Sequence, residues 1–528
     1  MESRSPALKN LGWVAAAGVV AYGGWAYLRA TNVTVVNAGE GSEYSGLIRR
    51  CKAVSDGYWP SLWSLHSALE LLPFMWRNNS ISKLAYRLPH YIEDVEMEDG
   101  EILQIVWFRG DNTSKAMAPP YCDKTNTPIL MVHHGAMCDS FNLPGQGYLK
   151  KALDRGWIVC ALNRRGHGKK PLKVPKFQFF GSTTDLRDIV QFIRRTKRPA
   201  APIYFIGLSS GSGLVAKFMG EQGQQLIDEY HPAFVNGAVA VCPGYNIEKC
   251  MSRMQWPYQQ LLLRHAKEYF LCRNHALLKD KAGFCEMNDA KCLQSWLDNS
   301  YAIAGYRSKD EFYLKTNPME TVQFIKDPML VINSENDPIC VAENVHENMD
   351  IFRSSQGATL VLTKLGSHLP FFELSWNPFR LESWAERLSF EYIEQVEQHR
   401  SEEEEARRLR EENLSRLAPS PNASDRLPST PGFAKQMGGA RSPATPSGGV
   451  GFAKSLSASP SRAARQQQAS SSAGGGGEAF LNVESIEQLN ASIASGASPA
   501  KAYASPVSVR SSNPSSPWST VKSPSSRN

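Results

Sequence analysis

The chain is expected to fold as an α/β domain, with a mostly parallel central sheet and helices on both faces. Three observations lead there. Short apolar runs such as 128–132, 157–163, 237–242, 329–333 and 359–363 recur through the middle of the chain. They alternate with helical patterns, which is how strands buried on both faces and joined by crossovers read in sequence. One further run, 202–206, breaks into Gly207-Leu208-Ser209-Ser210-Gly211, a G-x-S-x-G at the point where a strand gives way to a helix.

Composition divides the 528 residues into unlike regions. Residues 11–28 (LGWVAAAGVVAYGGWAYL) carry no charge and are flanked by Lys9 and Arg29. That length is just enough for a single membrane-spanning helix, with Trp and Tyr at its interfaces. The expectation is a single-pass N-terminal anchor placing the protein in a membrane, the endoplasmic reticulum. A signal peptide or mitochondrial leader is the competing reading. A helical N-terminal segment is expected over 44–87 and the α/β domain over 88–400. The four glutamates 402–405, followed by arginines, predict a solvated charged helix over 401–415. Residues 416–528 are rich in Ser, Pro, Ala and Gly, cannot bury a core, and are expected to be disordered. Their Ser-Pro and Thr-Pro pairs are candidate phosphorylation sites through which tail partners would bind.

Within the domain, 95–108 reads as a hairpin turned at Asp99-Gly100. Residues 182–195 (STTDLRDIVQFIRR) read as a helix opened by a Ser or Thr cap. The stretch 212–219 starts another directly after the Ser209 turn. Between 243 and 318 the alternation stops, and a helical stretch rich in Trp, Tyr, Leu and Met intervenes between two core strands. It is expected to lie over the sheet as a cap shaping an acyl-binding pocket.

A lone Gly/Ser-rich turn is commonly just a loop. Here the strand before it and the helix after it single out Ser209, with glycine at −2 and +2, as the candidate nucleophile. Its hydroxyl needs a base and a group to orient that base. Asp337 and His368 follow in the required order, each in a loop just past a strand. Glu335 is the rival acid; Asp337 is preferred because Pro338 stiffens the turn after it. The expected oxyanion donors are the backbone N–H groups of Ser210 and Ala136, with Met137 close behind. His133 and His134 have no partner at ligand spacing and are assigned to packing and loop support. No metal or cofactor is expected. The ten cysteines lack a C-x-x-C and read as small apolar residues. A net charge of +7 without a basic-aromatic stripe argues against a nucleic-acid partner.

These residues resemble those of the AB hydrolase-4 group of membrane-anchored α/β-hydrolases. That group includes α/β-hydrolase domain-containing proteins 1 to 3 and the yeast medium-chain ester-forming enzymes. The likeness covers about 60–390 and rests on Tyr86-Arg87, Asn163-Arg164-Arg165-Gly166, Thr184-Asp185-Leu186, Ser209 in its turn, 304–313 (AGYRSKDEFY), Asp337-Pro338 and 366–369 (GSHL). It implies an α/β-hydrolase fold with a helical cap, a Ser209-Asp337-His368 triad, and serine-esterase action on lipid esters, acylglycerol or phospholipid. The alternatives are an alcohol O-acyltransferase and a non-catalytic lipid-binding scaffold. Two departures stand out. Met137-Cys138-Asp139-Ser140 replaces the group's Gly-Gly after the oxyanion turn. The His-x4-Asp linked to acyltransfer in relatives is here His368 followed by Glu373, while His275 and Asp280 match it only within the cap.

Overall fold

The computed structural model describes Gly24 and residues 27–417, apart from 40–41, 86–87, 89, 109–125, 143–145, 181, 197–200, 225–233 and 378–379. The expected disordered tail and most of the 11–28 run lie outside the described residues. Among the described residues no helix is long and apolar enough to cross a membrane. This overturns the expectation of a single-pass membrane protein. The physical reason is visible at the run's end, where Tyr27 packs on the domain: its hydroxyl donates to the Pro60 carbonyl at 2.7 Å and its ring meets Trp59. The run's many Ala and Gly residues also add little transfer energy.

The sheet has nine strands in the order β1-β9-β8-β7-β6-β4-β5-β3-β2. In chain order they are β1 (Val33–Val36), β2 (His90–Glu96), β3 (Ile102–Phe108), β4 (Ile129–His133), β5 (Ile158–Asn163), β6 (Ile203–Leu208), β7 (Gly237–Val241), β8 (Met329–Ser334) and β9 (Ala358–Thr363). The run from β5 through β4 and β6 to β9 is parallel. Antiparallel strands close both ends, β1 on β9 and the β2–β3 hairpin on β5. The hairpin turns at Asp99-Gly100, with Gly100 at φ +83°. The edge strand β1 escapes sequence reading, because it is short and its buried residue, Val36, gives no alternation.

Two helical layers cover the sheet because strand side chains alternate. Ile203 and Phe205 of β6 face α3 (Thr184–Thr196) and α4 (Ser210–Gln224) in a cluster with Ile189, Val190, Val215 and Phe218. Tyr204 and Ile206 point the other way, into a cluster with Tyr148 and Leu149 of α2 (Gly147–Asp154) and Trp384, Leu388 and Ile393 of α8 (Trp384–Leu417). Each fully buried large apolar side chain contributes about 1.5–3 kcal/mol of transfer free energy. The expected 401–415 helix is the distal part of α8 rather than a separate element.

Between β7 and β8 the chain forms short helices, among them α5 (Ile247–Arg253), α6 (Trp256–Ala266) and α7 (Lys309–Thr316). They share a third core with the segment after β5. Phe177 stacks on Phe270 at 4.6 Å between ring centroids and on Trp296 at 5.8 Å. Upstream of β2, the 44–87 segment mixes 3-10 turns with one longer helix, α1 (Ser67–Ala85), which accommodates Pro73. A partly buried ion pair, Arg77 to Glu386 at 2.8 Å, joins α1 to α8.

Candidate active site

After β4 the chain runs to β5 on one side of the sheet, whereas β6 leads on to β7 on the other. This reversal opens a crevice above the carboxyl ends of β4 and β6, the usual ligand position in an open parallel sheet. The Gly135–Ala136 turn leaves β4 there, and the Ser209 turn leaves β6.

Ser209 has φ +53°, a strained value for a residue with a side chain, and its N–H donates to Val241 of β7 at 3.0 Å. Close approach explains the flanking glycines. A Cβ on Gly207 would lie 2.5 Å from the Gly211 carbonyl oxygen, and one on Gly211 would lie 2.5 Å from the carbonyl oxygens of both His133 and His134. Backbone cannot yield as a side-chain tip can. Gly211→Ala is therefore expected to lose about 3 kcal/mol or more of stability, read as a fall in the denaturant midpoint. Gly213→Ala, whose Cβ would meet only Pro318 at 3.8 Å, should leave the midpoint in place.

The structure brings the three candidate side chains into one hydrogen-bonded chain. The Ser209 hydroxyl lies 2.9 Å from His368 Nε2, and His368 Nδ1 lies 2.7 Å from Asp337 Oδ2. The other Asp337 oxygen accepts the backbone N–H groups of Ile339 and Cys340, each at 2.8 Å. The carboxylate is thus pinned by its own turn while it holds the imidazole. Glu335, the rival acid, instead pairs with Lys364 at 2.6 Å. Among the described residues neither the Ala136 nor the Ser210 N–H has an acceptor, as befits a tight turn and a helix's first residue.

The loop after Ala136 does without the Gly-Gly of the resembling group. Met137 takes φ +55°, and Asp139 Oδ1 then accepts the N–H groups of Phe141 and Asn142 at 2.8 Å, an Asx turn that closes the loop. His133 and His134 sit beneath it. Burial, with Arg164 nearby, pulls His133 down to about 3 and His134 well below the usual imidazole range, so both rings are neutral. His133 packs on Phe205, and His134 Nε2 accepts the Arg164 N–H. Cys242, Asp337 and His368 offer ligand atoms close enough for an ion. Burial and the adjacent Asp337 push the Cys242 thiol well up, which keeps it protonated and a poor ligand.

Beside Ser209 opens a cavity of about 200 Å³. Phe179, Leu214, Ile247, Met251 and Leu293 line it, and Phe74 of α1 reaches its wall. Glu373, at the acyltransferase spacing from His368, is engaged by Arg387 at 2.6 Å. His275 packs on Phe284 in the cap.

Sequence reasoning assigned no role to several polar residues that frame this site. Asn163 accepts the Ser140 N–H and hydroxyl at 2.9 and 2.8 Å, fixing the loop after Ala136 to β5. Asn336 accepts the Ser367 N–H at 2.8 Å, steadying the His368 loop. Arg165 joins Asp99 of the hairpin turn to Asp185 of α3, both at 2.6 Å. Polar residues placed immediately after an apolar strand were the available signal.

Glu70 of α1 is buried, accepting Ser64 Oγ at 2.7 Å and the Phe372 N–H at 3.2 Å. Burial raises its carboxyl to about 7. With the folded value above the unfolded one, the folded state binds the extra proton, so stability falls as pH rises from about 4.5 to about 7. Glu70→Gln keeps the acceptor oxygen without the charge. It is expected to gain on the order of 3 kcal/mol over the native chain at pH 8, with little difference at pH 4, in paired denaturation curves.

Residues 127–375 match a family model described as Serine aminopeptidase, S33. The human Protein ABHD15 is 28% identical over 46% of this chain, but the match spans only 49% of that protein. The human Phospholipase ABHD3 is 22% identical over 68% of this chain and 84% of its own length. The human Monoacylglycerol lipase ABHD2 is 26% identical over 47% and 61%. Among solved structures, an esterase from Pyrobaculum calidifontis aligns over 62% of this chain and 89% of its own, with 15% identity and a TM-score of 0.38. The sequence matches support an AB hydrolase family, and the mostly parallel nine-stranded sheet with the Ser209 turn at the end of β6 is an α/β-hydrolase fold.

Proposed function

We propose that this chain hydrolyses lipid esters, acylglycerols or phospholipids, through an acyl-enzyme on Ser209. The observation that carries the reading is the Ser209–His368–Asp337 chain opening directly onto an apolar cavity. An acyl chain suits such walls, because each buried methylene is worth about 0.8 kcal/mol. The relatives named a phospholipase and a monoacylglycerol lipase support a lipid substrate.

In this reading His368 Nε2 takes the proton of Ser209 as Oγ attacks the ester carbonyl. Asp337 keeps the Nδ1 hydrogen on its own side and stabilises the imidazolium. The Ser210 and Ala136 N–H groups hold the oxyanion. The imidazolium returns its proton to the leaving alkoxide, and the alcohol departs. Water, deprotonated by His368, then attacks the acyl-enzyme carbonyl and releases the fatty acid with Ser209 restored.

The test is fatty-acid release by the purified full chain from monoacylglycerol and phosphatidylcholine, run beside a peptide amide. Release from at least one lipid, abolished in Ser209→Ala, is the expected result. Cleavage of the peptide alone, or lipid cleavage that survives Ser209→Ala, would overturn the reading.

A further inference from the structure

Two adjacent arginines leave β5, and their surroundings differ sharply. Arg165 is held by two carboxylates, Asp99 and Asp185. Arg164 is just as buried, 2% exposed, yet among the described residues no carboxylate pairs with it. Its terminal NH2 nitrogen donates to the carbonyls of His134 and Gly135, at 3.1 and 3.0 Å, and to Ser210 Oγ at 2.9 Å. The other terminal nitrogen reaches the Phe179 carbonyl at 3.4 Å, and Nε is buried without a partner.

A buried cation without a counter-charge is costly to keep. The fold keeps this one under the two turns that carry the Ala136 and Ser210 N–H groups. Its field is felt locally, since it helps hold His133, His134 and His167 in their neutral forms. The cation itself survives burial, its guanidinium drawn down only to about 10. A buried positive charge with no carboxylate beside it favours negative charge nearby, and the charge that appears there during acyl transfer is the oxyanion.

We propose that Arg164 is a positioning residue for ester cleavage. It ties the Gly135–Ala136 turn to the Ser209–Ser210 turn, so that the two N–H donors converge, and it biases the crevice toward the oxyanion. This rests on the Ser209 mechanism proposed above. A group acting only on the oxyanion is felt in the transition state and hardly in substrate binding, so it should alter kcat and leave KM.

The experiment compares Arg164→Gln, Arg164→Lys and Ser209→Ala on one ester that the native chain cleaves, together with inhibition by a trifluoromethyl ketone, which mimics the tetrahedral oxyanion. Arg164→Gln is expected to lose on the order of 10²-fold in kcat with KM within about twofold, and to bind the ketone more weakly by a similar factor. Arg164→Lys, which keeps charge without the fork, should fall between the two, and it decides the matter if the glutamine variant fails to fold. Unchanged kcat and ketone affinity in either folded variant would overturn the role of Arg164. Full activity in Ser209→Ala would instead overturn the mechanism on which it rests, so the two failures are separable.

Discussion

Ser209→Ala is expected to lower turnover of any ester this chain cleaves by on the order of 10⁴–10⁶-fold, with KM little changed. Removing Oγ removes the atom that forms the acyl-enzyme. The turn that presents it depends on Gly207 and Gly211 rather than on the hydroxyl, so the variant should unfold at the native midpoint. What activity remains would come from the oxyanion donors and the bound geometry alone. Two measurements check this. Fluorophosphonate labelling should disappear completely, and the burst of alcohol release that marks acyl-enzyme build-up should vanish. A variant that still labels would place the nucleophile elsewhere.

Asp337→Asn should cost on the order of 10⁴-fold in kcat for a different reason. Asparagine can still accept the Ile339 and Cys340 N–H groups, so the turn survives. Its amide would face His368 as a donor, and the imidazole would have to accept at Nδ1. The ring's remaining proton would then sit on Nε2, the nitrogen that must receive the Ser209 proton. Turnover should partly recover as pH rises and hydroxide substitutes for the base, whereas Ser209→Ala stays inactive. A Glu335→Gln control should be nearly neutral, because that carboxylate is spent on Lys364 at the surface. Equal losses at Asp337 and Glu335 would contradict the assignment of the acid.

The parallel strands and the Ser209 turn were readable because their signals are local. A strand buried on both faces must be apolar throughout, and a tight strand-to-helix turn must place glycine at fixed offsets. Weakly patterned elements were not readable. The edge strand β1 buries only Val36. Within 44–87, half-exposed 3-10 turns repeat no helical period. The 11–28 run has the length of a span, but length does not specify one. Tyr27, at its end, is hydrogen-bonded to the domain, and among the described residues no helix meets the needs of a bilayer crossing.

By itself, then, the sequence determined the order of strands along the chain, the serine in its glycine frame, and the loops that could serve it. Those follow from periodicity and backbone sterics, which act over a few residues. Only the tertiary structure decided which side chains meet. Asp337 lies against His368 while Glu335 turns to Lys364, although the two acids are neighbours on one loop. Arg164 meets backbone carbonyls and the Ser210 hydroxyl beneath the Gly135–Ala136 and Ser209–Ser210 turns, while Arg165 beside it is held by two carboxylates. Adjacent residues at a strand's end leave it in different directions, so their partners are set by how distant segments pack, which no local pattern encodes.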